Sequence, residues 1–389
     1  MKSPLKILVI ASILLFMGCN SQNSGNRDKL RQVNIVDAFE SRKFKSLSTI
    51  VDGSIDYVCL ETTGKAMLGS SLWVYVSDSI IETISFRKIL LFERRTGGFI
   101  REIGHYGNDP EGYRASTFTL PFDEENNVFY ALGWPLRQYL CYDQSGKLVK
   151  KINAPKEAAS FAQIDRQINV AFIKNYDGNE IRKLVLFSDV DSMIKMYPNY
   201  NRFIKQPGIS MYRNHGWFYR FDRKLCFFEQ FTDTIFQVTP DNLIPLFKLE
   251  TGKYLPPYKS QGSISFFLNE RKNYFFTDNI FESERFLFFQ IGYQGSFFQG
   301  VYDKKTGETG ITKNDDGFEN DVNNFIPFHY FSVNTRGELI GFMEAYKVKQ
   351  WFAENPVKAA RLPAHLQKLR EIKETDNPVV MIAKLKNQN

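Results

Sequence analysis

Residues 90–114, LLFERRTGGFIREIGHYGNDPEGYR, contain the turn from which the fold can be inferred. A short apolar run ends at Phe92, a Gly-Gly turn follows at positions 97–98, and a second run leads into a loop with three more glycines. Such a loop either cradles a phosphate or forms a corner between sheets. The first alternative predicts a nucleotide-binding enzyme, and the second predicts repeated hairpins.

The same turn recurs along the chain in degenerate form. In each copy an aromatic residue ends a strand, a polar residue caps the turn, and glycine supplies the positive φ that closes the hairpin. Clear copies begin at Phe92 (FERRTG), Tyr142 (YDQSG) and Tyr302 (YDKKTG), and looser copies begin at Phe187 and Phe236. Successive aromatic positions are 50, 45, 49 and 66 residues apart. Periods of about 40 to 50 residues built from short strands are typical of β-propeller blades, which favours a propeller over a β-sandwich with similar hairpins.

One repeat can be followed strand by strand between residues 116 and 153. STFTLPF, NVFYALG, RQYLCYD and KLVKKIN are four short strands separated by turn-forming residues, as in one antiparallel blade. The other blades are expected near 54–104, 161–197, 217–249, 273–312 and 325–386. The sequence therefore predicts an all-β fold, a six-bladed β-propeller of four-stranded antiparallel blades. A seventh blade would have to lie in the long interval near 251–265.

The C-terminal segment departs from this repeat. AYKVKQWFAEN and AHLQKLREIKE have helical periodicity, and Pro356 and Pro363 divide the segment into pieces. NPVVMIAKLK then returns to a strand pattern. Because so short a helical segment cannot bury a core of its own, we expect a helical insertion at about 345–375 within the last blade, followed by that blade's final strand.

The first 18 residues have the features of a signal peptide. Lys2 and Lys6 precede the apolar run ILVIASILLFM, which is too short to span a membrane. FMGC resembles a lipobox, in which Cys19 would be lipidated; the alternative is an ordinary signal peptide with a chance cysteine. NSQNSGNRD indicates a flexible segment. The predicted organisation is a signal peptide at 1–18, a lipidated tether at 19–32 and the propeller at 33–389. No acidic run follows Cys19, so we expect a periplasm-facing location in the cell envelope.

The composition suits an exported β-protein. Aromatic residues make up 15% of the chain, with 36 Phe and 19 Tyr, which favours strands. The formal net charge of +7 becomes +5 without the two signal lysines, and basic residues alternate with acidic ones, so nucleic acid is not an expected partner. Cys59, Cys141 and Cys226 lie in apolar or aromatic runs, which favours buried thiols over a metal cluster. We expect no metal and no cofactor.

Five short motifs together suggest a family resemblance. They are LETT at 60–63, the spaced motif IG…G…PEGY at 103–113, DTIF at 233–236, NDDG at 314–317 and DNPV at 376–379. In this order and spacing they resemble the lipid-anchored six-bladed propeller proteins of Bacteroides-type bacteria, which are similar to NHL-repeat propellers. Most of that family has no assigned activity, so the resemblance implies a fold and an envelope location rather than a reaction.

The loop at 104–112 does not match a phosphate-binding motif. GHYGNDPEG is neither GxGxxG nor GxxxxGK[ST], no helical pattern follows it, and Asp109 and Glu111 would repel an anion. We therefore expect a corner between blades. GxSxG and HExxH are also absent from the sequence. The acidic segment 314–321, NDDGFEND, offers oxygens to a calcium ion but lacks EF-hand spacing, which favours a solvated loop.

Blade topology predicts which loops lie together. In a four-stranded antiparallel blade, the loop between the second and third strands shares a face with the loop to the next blade. These loops are 104–115, 133–137, 175–180, 292–296 and 313–324. They bring aromatic, arginine and carboxylate side chains to one mouth of the central channel, as sugar and peptide sites require. The candidate ligand-binding residues are His105, Tyr106, Asn108, Tyr113, Arg114, Trp134, Arg137, Tyr293, Asp315 and Asp316, with Tyr176 on a neighbouring loop. The alternative is that a chain so rich in aromatic residues shows them on every surface.

Two classes of function follow from these observations. The absence of catalytic motifs favours a non-catalytic binding module, anchored by lipid, that presents a propeller face to a glycan, a peptide or a protein partner. The alternative is a propeller hydrolase or lyase that uses His105 with an acid such as Asp315. The second class requires a histidine within hydrogen-bond reach of a carboxylate at the channel mouth.

Overall fold

The structure, a computed structural model, describes most of the chain beyond the N-terminal segment. The described residues are 30–69, 72–85, 87–114, 122–124, 126–133, 138–190, 192–208, 216–313 and 317–387. The predicted signal peptide, Cys19 and nearly all of the predicted tether lie outside these residues. So does most of the first strand predicted for the second blade, because 115–121 is not described.

Six β-sheets form a ring, and each sheet is one blade of a propeller. Blade 1 contains β3 (Leu72–Val76), β4 (Ile80–Ser85), β5 (Lys88–Glu93) and β6 (Phe99–Glu102). The described strands of blade 2 are β7 (Phe129–Leu132), β8 (Gln138–Tyr142) and β9 (Leu148–Asn153). Blade 3 contains β10 (Ala158–Gln163), β11 (Asn169–Ile173), β12 (Arg182–Phe187) and β13 (Met193–Pro198).

The other three blades continue the same antiparallel order. Blade 4 contains β14 (Gly216–Phe221), β15 (Lys224–Glu229), β16 (Thr234–Val238) and β17 (Leu243–Leu249), and blade 5 contains β18 (Phe276–Glu282), β19 (Phe286–Tyr293), β20 (Ser296–Asp303) and β21 (Thr309–Ile311). Blade 6 contains β22 (Tyr330–Val333), β23 (Glu338–Met343), β24 (Val379–Leu385) and, from the N-terminal region, β2 (Val51–Cys59). First strands of neighbouring blades contact each other, for example β14 with β10 and β18, which places the first strands at the centre.

An N-terminal segment closes the ring from outside. The strand β1 (Arg31–Val33) pairs in parallel with β17 at the edge of blade 4, and Phe44 forms a parallel bridge with Ile311 in blade 5. The strand β2 then pairs with β24 and completes blade 6. Residues 31–59 thus lie along three consecutive blades, so unfolding of the ring requires their release.

Hairpin turns account for the regularity of the sheets. Gly97, the glycine of FERRTG, has a φ of 72°, as the turn motif requires. A Cβ at this position would lie 1.9 Å from the carbonyl oxygen of Cys59, so only glycine allows this turn to approach the end of β2. The turn motif therefore sets both the hairpin geometry and a contact between blades 1 and 6.

The hydrophobic core lies between successive blades. One cluster joins Ile84 and Leu91 of blade 1 to Phe129 and Leu140 of blade 2, and similar clusters fill the other interfaces. Strands with both faces covered read as continuous apolar runs, as in KILLFE and NVAFI. The high aromatic content is explained by this core, in which buried Phe and Tyr side chains fill the wedge-shaped spaces between sheets.

Helical segments are few. The helix α1 (Ile35–Glu40) follows β1, and α2 (Ala345–Glu354), α3 (Pro356–Ala359) and α4 (Ala364–Gln367) lie between the second and third strands of blade 6. Short 3₁₀ turns occur at Leu47–Thr49, Gly252–Tyr254, Tyr258–Gly262, Arg271–Asn273 and Lys368–Glu371, and a π turn occurs at Phe266–Glu270. None of the helices in the described residues is both long and apolar enough to cross a bilayer.

The structure confirms the prediction of an all-β fold with six blades. It corrects the prediction of which strands close the ring. The segment around residues 54–59 was expected in the first blade, but β2 is the outermost strand of the last blade. NPVVMIAKLK lies in the ring as predicted, although β24 is the third strand of blade 6 rather than its final strand. The strand β1 also begins at Arg31, inside the segment predicted as tether.

Candidate functional site

The two faces of the propeller differ in their loops. On one face, called here the hairpin face, described strands are joined by loops of two to five residues. The opposite face, called here the long-loop face, carries the connections 199–215, 250–275, 312–329 and 344–378. Antiparallel topology puts the loops to the next blade beside the loops between second and third strands. The described parts of these four insertions therefore extend from the same face.

The loop at 103–114 forms the corner between blades 1 and 2. Tyr106 and Tyr113 form a β-bridge, and the Tyr113 amide donates to the His105 carbonyl at 2.9 Å. From blade 2, the Tyr142 hydroxyl donates to the Glu111 carbonyl at 2.5 Å, and Lys151 Nζ donates to the Pro110 carbonyl at 2.7 Å. These contacts explain the glycine-rich sequence as an inter-blade corner.

Exposed polar and aromatic side chains project from this corner. His105 Nε2 lies 2.7 Å from Asp109 Oδ2, and this hydrogen bond holds the pKa of Asp109 below its usual value. The guanidinium of Arg87 lies 4.8 Å from the centroid of the Tyr106 ring, within the range of a cation–π interaction. The corner therefore holds a histidine–carboxylate pair beside an arginine–tyrosine pair.

The predicted site residues are only partly brought together. His105, Tyr106, Asn108 and Arg114 share the corner loop, and the first three are exposed. Tyr113 lies in the same loop but is fully buried, and its hydroxyl donates to the Arg87 carbonyl at 3.1 Å. Because its ring packs in the core, we do not retain Tyr113 as a ligand contact.

The remaining predicted site residues lie away from the corner loop or outside the described ranges. Tyr293 belongs to an aromatic cluster that holds α1, with its ring centroid 5.3 Å from both Phe39 and Phe275. Tyr176 lies on the long-loop face of blade 3, where Lys205 Nζ is 3.7 Å from its ring centroid. Four predicted residues fall outside the described ranges: Trp134, Arg137, Asp315 and Asp316. The rest of the acidic segment, from Gly317, takes part in no described group of three or more potential metal ligands.

Two inner strands carry aromatic residues that the sequence argument missed. Trp73, in β3, is 43% exposed although it lies on an innermost strand, and its ring is 5.1 Å from that of Phe331 in β22. Leu72, Val74 and Val76 alternate with Trp73 and are buried. This alternation in LWVYV was the available signal, but it does not reveal which strand faces the channel.

A concave region lies on the long-loop face of blades 3 and 4. It is an open depression of about 500 Å³ at the junction of loops 174–181, 199–208 and 258–264. Arg202, Phe203, Ile204 and Lys259 contribute to its lining. The corner loop 103–114, which contains several predicted site residues, does not line this depression. The long-loop face therefore has two separate candidate regions, the corner loop and the depression.

Two buried ionisable groups lie away from these regions. Glu82 of β4 is enclosed between blades 1 and 2, where the Phe122 amide donates to its Oε2 at 3.0 Å, and burial raises its pKa to about 8. Lys304 and Glu282 form a buried ion pair at 2.9 Å between blades 4 and 5, and burial lowers the pKa of Lys304. Each group has a structural contact that accounts for its position, so neither is included in the candidate site.

Comparison with known proteins supports the class of six-bladed propeller. Residues 30–384 match the family described as "Domain of unknown function (DUF4934)", and the chain belongs to this family. A crystal structure described as a "Putative exported protein" from Bacteroides fragilis has a TM-score of 0.69 at 15% identity and covers 92% of this chain and 100% of its own. The CNH domain of AfRom2 matches with 11% identity and a TM-score of 0.39, over 85% of this chain and 100% of its own. No curated protein matches the chain.

Proposed function

We propose that the protein is a lipid-anchored, non-catalytic binding module that presents its long-loop face to a glycan, a peptide or a protein partner. The observation that carries this proposal is the asymmetry of the ring. Among the described strands, the long connections lie on one face, whereas the hairpins of the other face have loops of at most five residues. Propeller scaffolds commonly hold binding residues on such loops, because the rigid sheets fix the positions of the loop ends.

The proposed anchor is Cys19, in the sequence FMGC that ends the signal-like segment. The similarity to an exported protein is compatible with a location in the cell envelope. The described part of the chain begins next to β1, which lies on the outer edge of blade 4. An anchor attached there would keep the long-loop face accessible on the periplasmic side.

The proposed contacts at the channel mouth combine predicted and newly found residues. Tyr106 and Trp73 offer aromatic faces for stacking on a sugar ring or a side chain, and His105 and Asn108 offer polar atoms. Arg87 supplies a cation beside Tyr106. Apolar faces with a few polar groups are the residue types that small-ligand sites require. We propose no nucleic-acid partner and no cofactor for this surface.

A thermal-shift screen of the purified full chain against glycan and peptide panels tests the proposal, since a ligand of the folded state raises the melting temperature. We expect at least one class of ligand to produce an upward shift that Tyr106→Ala or Trp73→Ala reduces. Ile100→Ala, at an exposed apolar position on the outer strand β6, is the matched control. Ligand shifts that both variants retain in full would argue against the channel mouth as the site.

The alternative is a hydrolase or lyase that uses His105 as a general base. One observation favours it: the hydrogen bond of 2.7 Å to Asp109 would orient the imidazole, as the acid does in a catalytic dyad. This partner differs from Asp315, the acid suggested by sequence. If polysaccharide or peptide substrates are cleaved by the wild type, His105→Ala should abolish turnover. Turnover unchanged in that variant would exclude this role for His105.

A further inference from the structure

Exposed apolar side chains lie on the segments that line the depression on blades 3 and 4 or lead out of it. On the central loop, Tyr200 and Ile204 are 85% and 88% exposed. Ile181 and Leu268, on the two flanking segments, are 58% and 77% exposed. Single exposed apolar residues are ordinary on protein surfaces, but Ile204 lines the depression itself, and the others lie close in sequence to its lining residues. A concentration of this kind is typical of an interaction surface.

The backbone beneath these side chains is fixed on both sides. A Cβ at Gly178 would lie 1.9 Å from the Phe203 carbonyl oxygen, and a Cβ at Gly262 would lie 1.9 Å from the Ile204 carbonyl oxygen. Two hydrogen bonds fasten the same segment, from the Phe203 amide to the Gly178 carbonyl at 3.2 Å and from the Gln206 amide to the Gly262 carbonyl at 3.0 Å. The loop 199–206 is therefore clamped between its neighbours. A surface ordered in advance loses little conformational entropy when it binds.

The charges of the depression favour an anionic ligand. Its lining includes the cations Arg202 and Lys259 and no carboxylate. On the adjacent loop, Asp177 pairs with Lys205 at 3.3 Å and Glu180 pairs with Arg182 at 2.8 Å, so these two acids are already engaged. Arg202 Nη1 donates to three backbone carbonyls, which orient the guanidinium without neutralising its charge. An acidic group that enters the depression would therefore meet the positive charges of Arg202 and Lys259.

The shape and the residue types indicate a polypeptide. Sugar sites stack rings on flat aromatic faces, but the most exposed apolar groups here include the aliphatic Ile181, Ile204 and Leu268. A membrane surface would favour a convex set of apolar tips, whereas Phe203 and Ile204 line a depression of about 500 Å³, large enough for a few side chains. We infer that this depression binds a polypeptide segment in which an apolar side chain is flanked by a carboxylate. The inference rests on the proposed binding role of the long-loop face and names one class of partner for it.

Labelled dodecapeptides in a Gly-Ser background provide the probe, each with a central Leu or Phe flanked by Asp, by Lys or by Ser. Binding to the purified full chain is measured by fluorescence anisotropy. We expect the Asp-flanked peptides to bind at least tenfold more tightly than the Lys-flanked ones. Ile204→Asp and Lys259→Glu should each weaken that binding at least tenfold, and Lys259→Glu should reduce the preference for acidic peptides.

Val190→Asp is the matched control, because Val190 is 75% exposed but lies in a turn on the hairpin face of blade 3. It should leave peptide binding unchanged, and all variants should keep the wild-type melting temperature because the altered side chains are exposed. Equal affinity for acidic and basic peptides, no binding by any apolar peptide, or unchanged binding in Ile204→Asp would overturn the inference. The wild type could instead bind anionic phosphatidylglycerol vesicles and no peptide. If Ile204→Asp then removed the vesicle binding, the surface would be assigned to a membrane.

The peptide test of the depression and the ligand screen for the channel mouth can succeed or fail independently. Peptide binding that Ile204→Asp removes and Trp73→Ala preserves supports the depression even if no ligand of the mouth is found. A glycan shift that depends on Trp73, without any peptide binding, supports the binding module and refutes the peptide inference.

Discussion

The buried carboxyl of Glu82 makes the stability of the propeller depend on pH in a predictable direction. Glu82 lies on the same face of β4 as Ile80 and Ile84, opposite Leu91, and the described hydrogen bond to it comes from the Phe122 amide. Burial raises its pKa from 4.5 to about 8. Below about pH 4.5 the group is protonated in both the folded and the unfolded chain, so it adds no pH dependence.

Between pH 4.5 and 8 the unfolded chain loses this proton while the folded chain keeps it. The free energy of unfolding therefore falls as the pH rises, and it levels off once the folded group ionises near pH 8. The difference between the two pKa values corresponds to about 5 kcal/mol, at about 1.4 kcal/mol per tenfold change in proton concentration. With an unfolding entropy of about 2.1 cal/mol/K per residue over about 350 residues, this free energy equals a change of about 7 °C in melting temperature.

Glu82→Gln removes the titration and keeps an oxygen for the Phe122 amide. We compare the melting temperature of the variant with that of the wild type at each pH. We expect the difference, variant minus wild type, to increase by about 5 °C or more between pH 4.5 and pH 8. Differential scanning calorimetry across this range measures the effect, with Glu374→Gln, an exposed position, as the control. A difference between Glu82→Gln and wild type that stays constant within 1 °C would refute the argument that Glu82 is protonated in the folded state.

Three further predictions concern a turn, an ion pair and the anchor. Gly104→Val should lower the free energy of unfolding by about 1–3 kcal/mol, because the native φ is 57°. Gly64→Val is the control, since a Cβ at Gly64 would meet no atom within 4 Å. A rise in the wild-type melting temperature with ATP or phosphate would contradict the assignment of 103–114 as a corner between blades. Lys304→Met should cost about 3–5 kcal/mol in urea unfolding, because it leaves the Glu282 carboxylate buried without its cation, and adding Glu282→Gln should recover part of that loss. Cys19→Ser should release the protein from the membrane fraction, and unchanged partitioning would argue against lipidation.

The repeated hairpins were predictable because their determinants are local. An aromatic residue, a polar cap and a glycine with positive φ occur within six residues, so FERRTG and YDKKTG identify turns without knowledge of the whole ring. Ring closure was not predictable in this way. The strand β2 pairs with β24, more than 300 residues later, and its own sequence would suit an outer strand of any blade. Which sheet it joins depends on the geometry of the closed ring.

The candidate site was predictable only at the level of loops. Topology indicated that 104–115 lies on the face with the other long connections, and His105 and Tyr106 are exposed there. It could not indicate that Tyr113 points inward, because an irregular loop has no period that separates buried from exposed positions. Trp73 was missed for a related reason. An alternating strand pattern gives two faces but does not tell which strand lines the central channel.

The unequal length of the connections on the long-loop face is itself an argument about function. Residues 154–157 are sufficient to lead from the outer strand of blade 2 to the inner strand of blade 3. The same step takes 199–215 after blade 3 and 250–275 after blade 4. In the described parts of these connections, each added residue costs about 1–2 kcal/mol of conformational entropy to order, and side chains such as Ile204 and Leu268 recover little of this by burial within the chain. Their apolar area is available to a partner instead. A loop that is costly to order and leaves apolar groups exposed is best explained by contacts that form only when the partner binds.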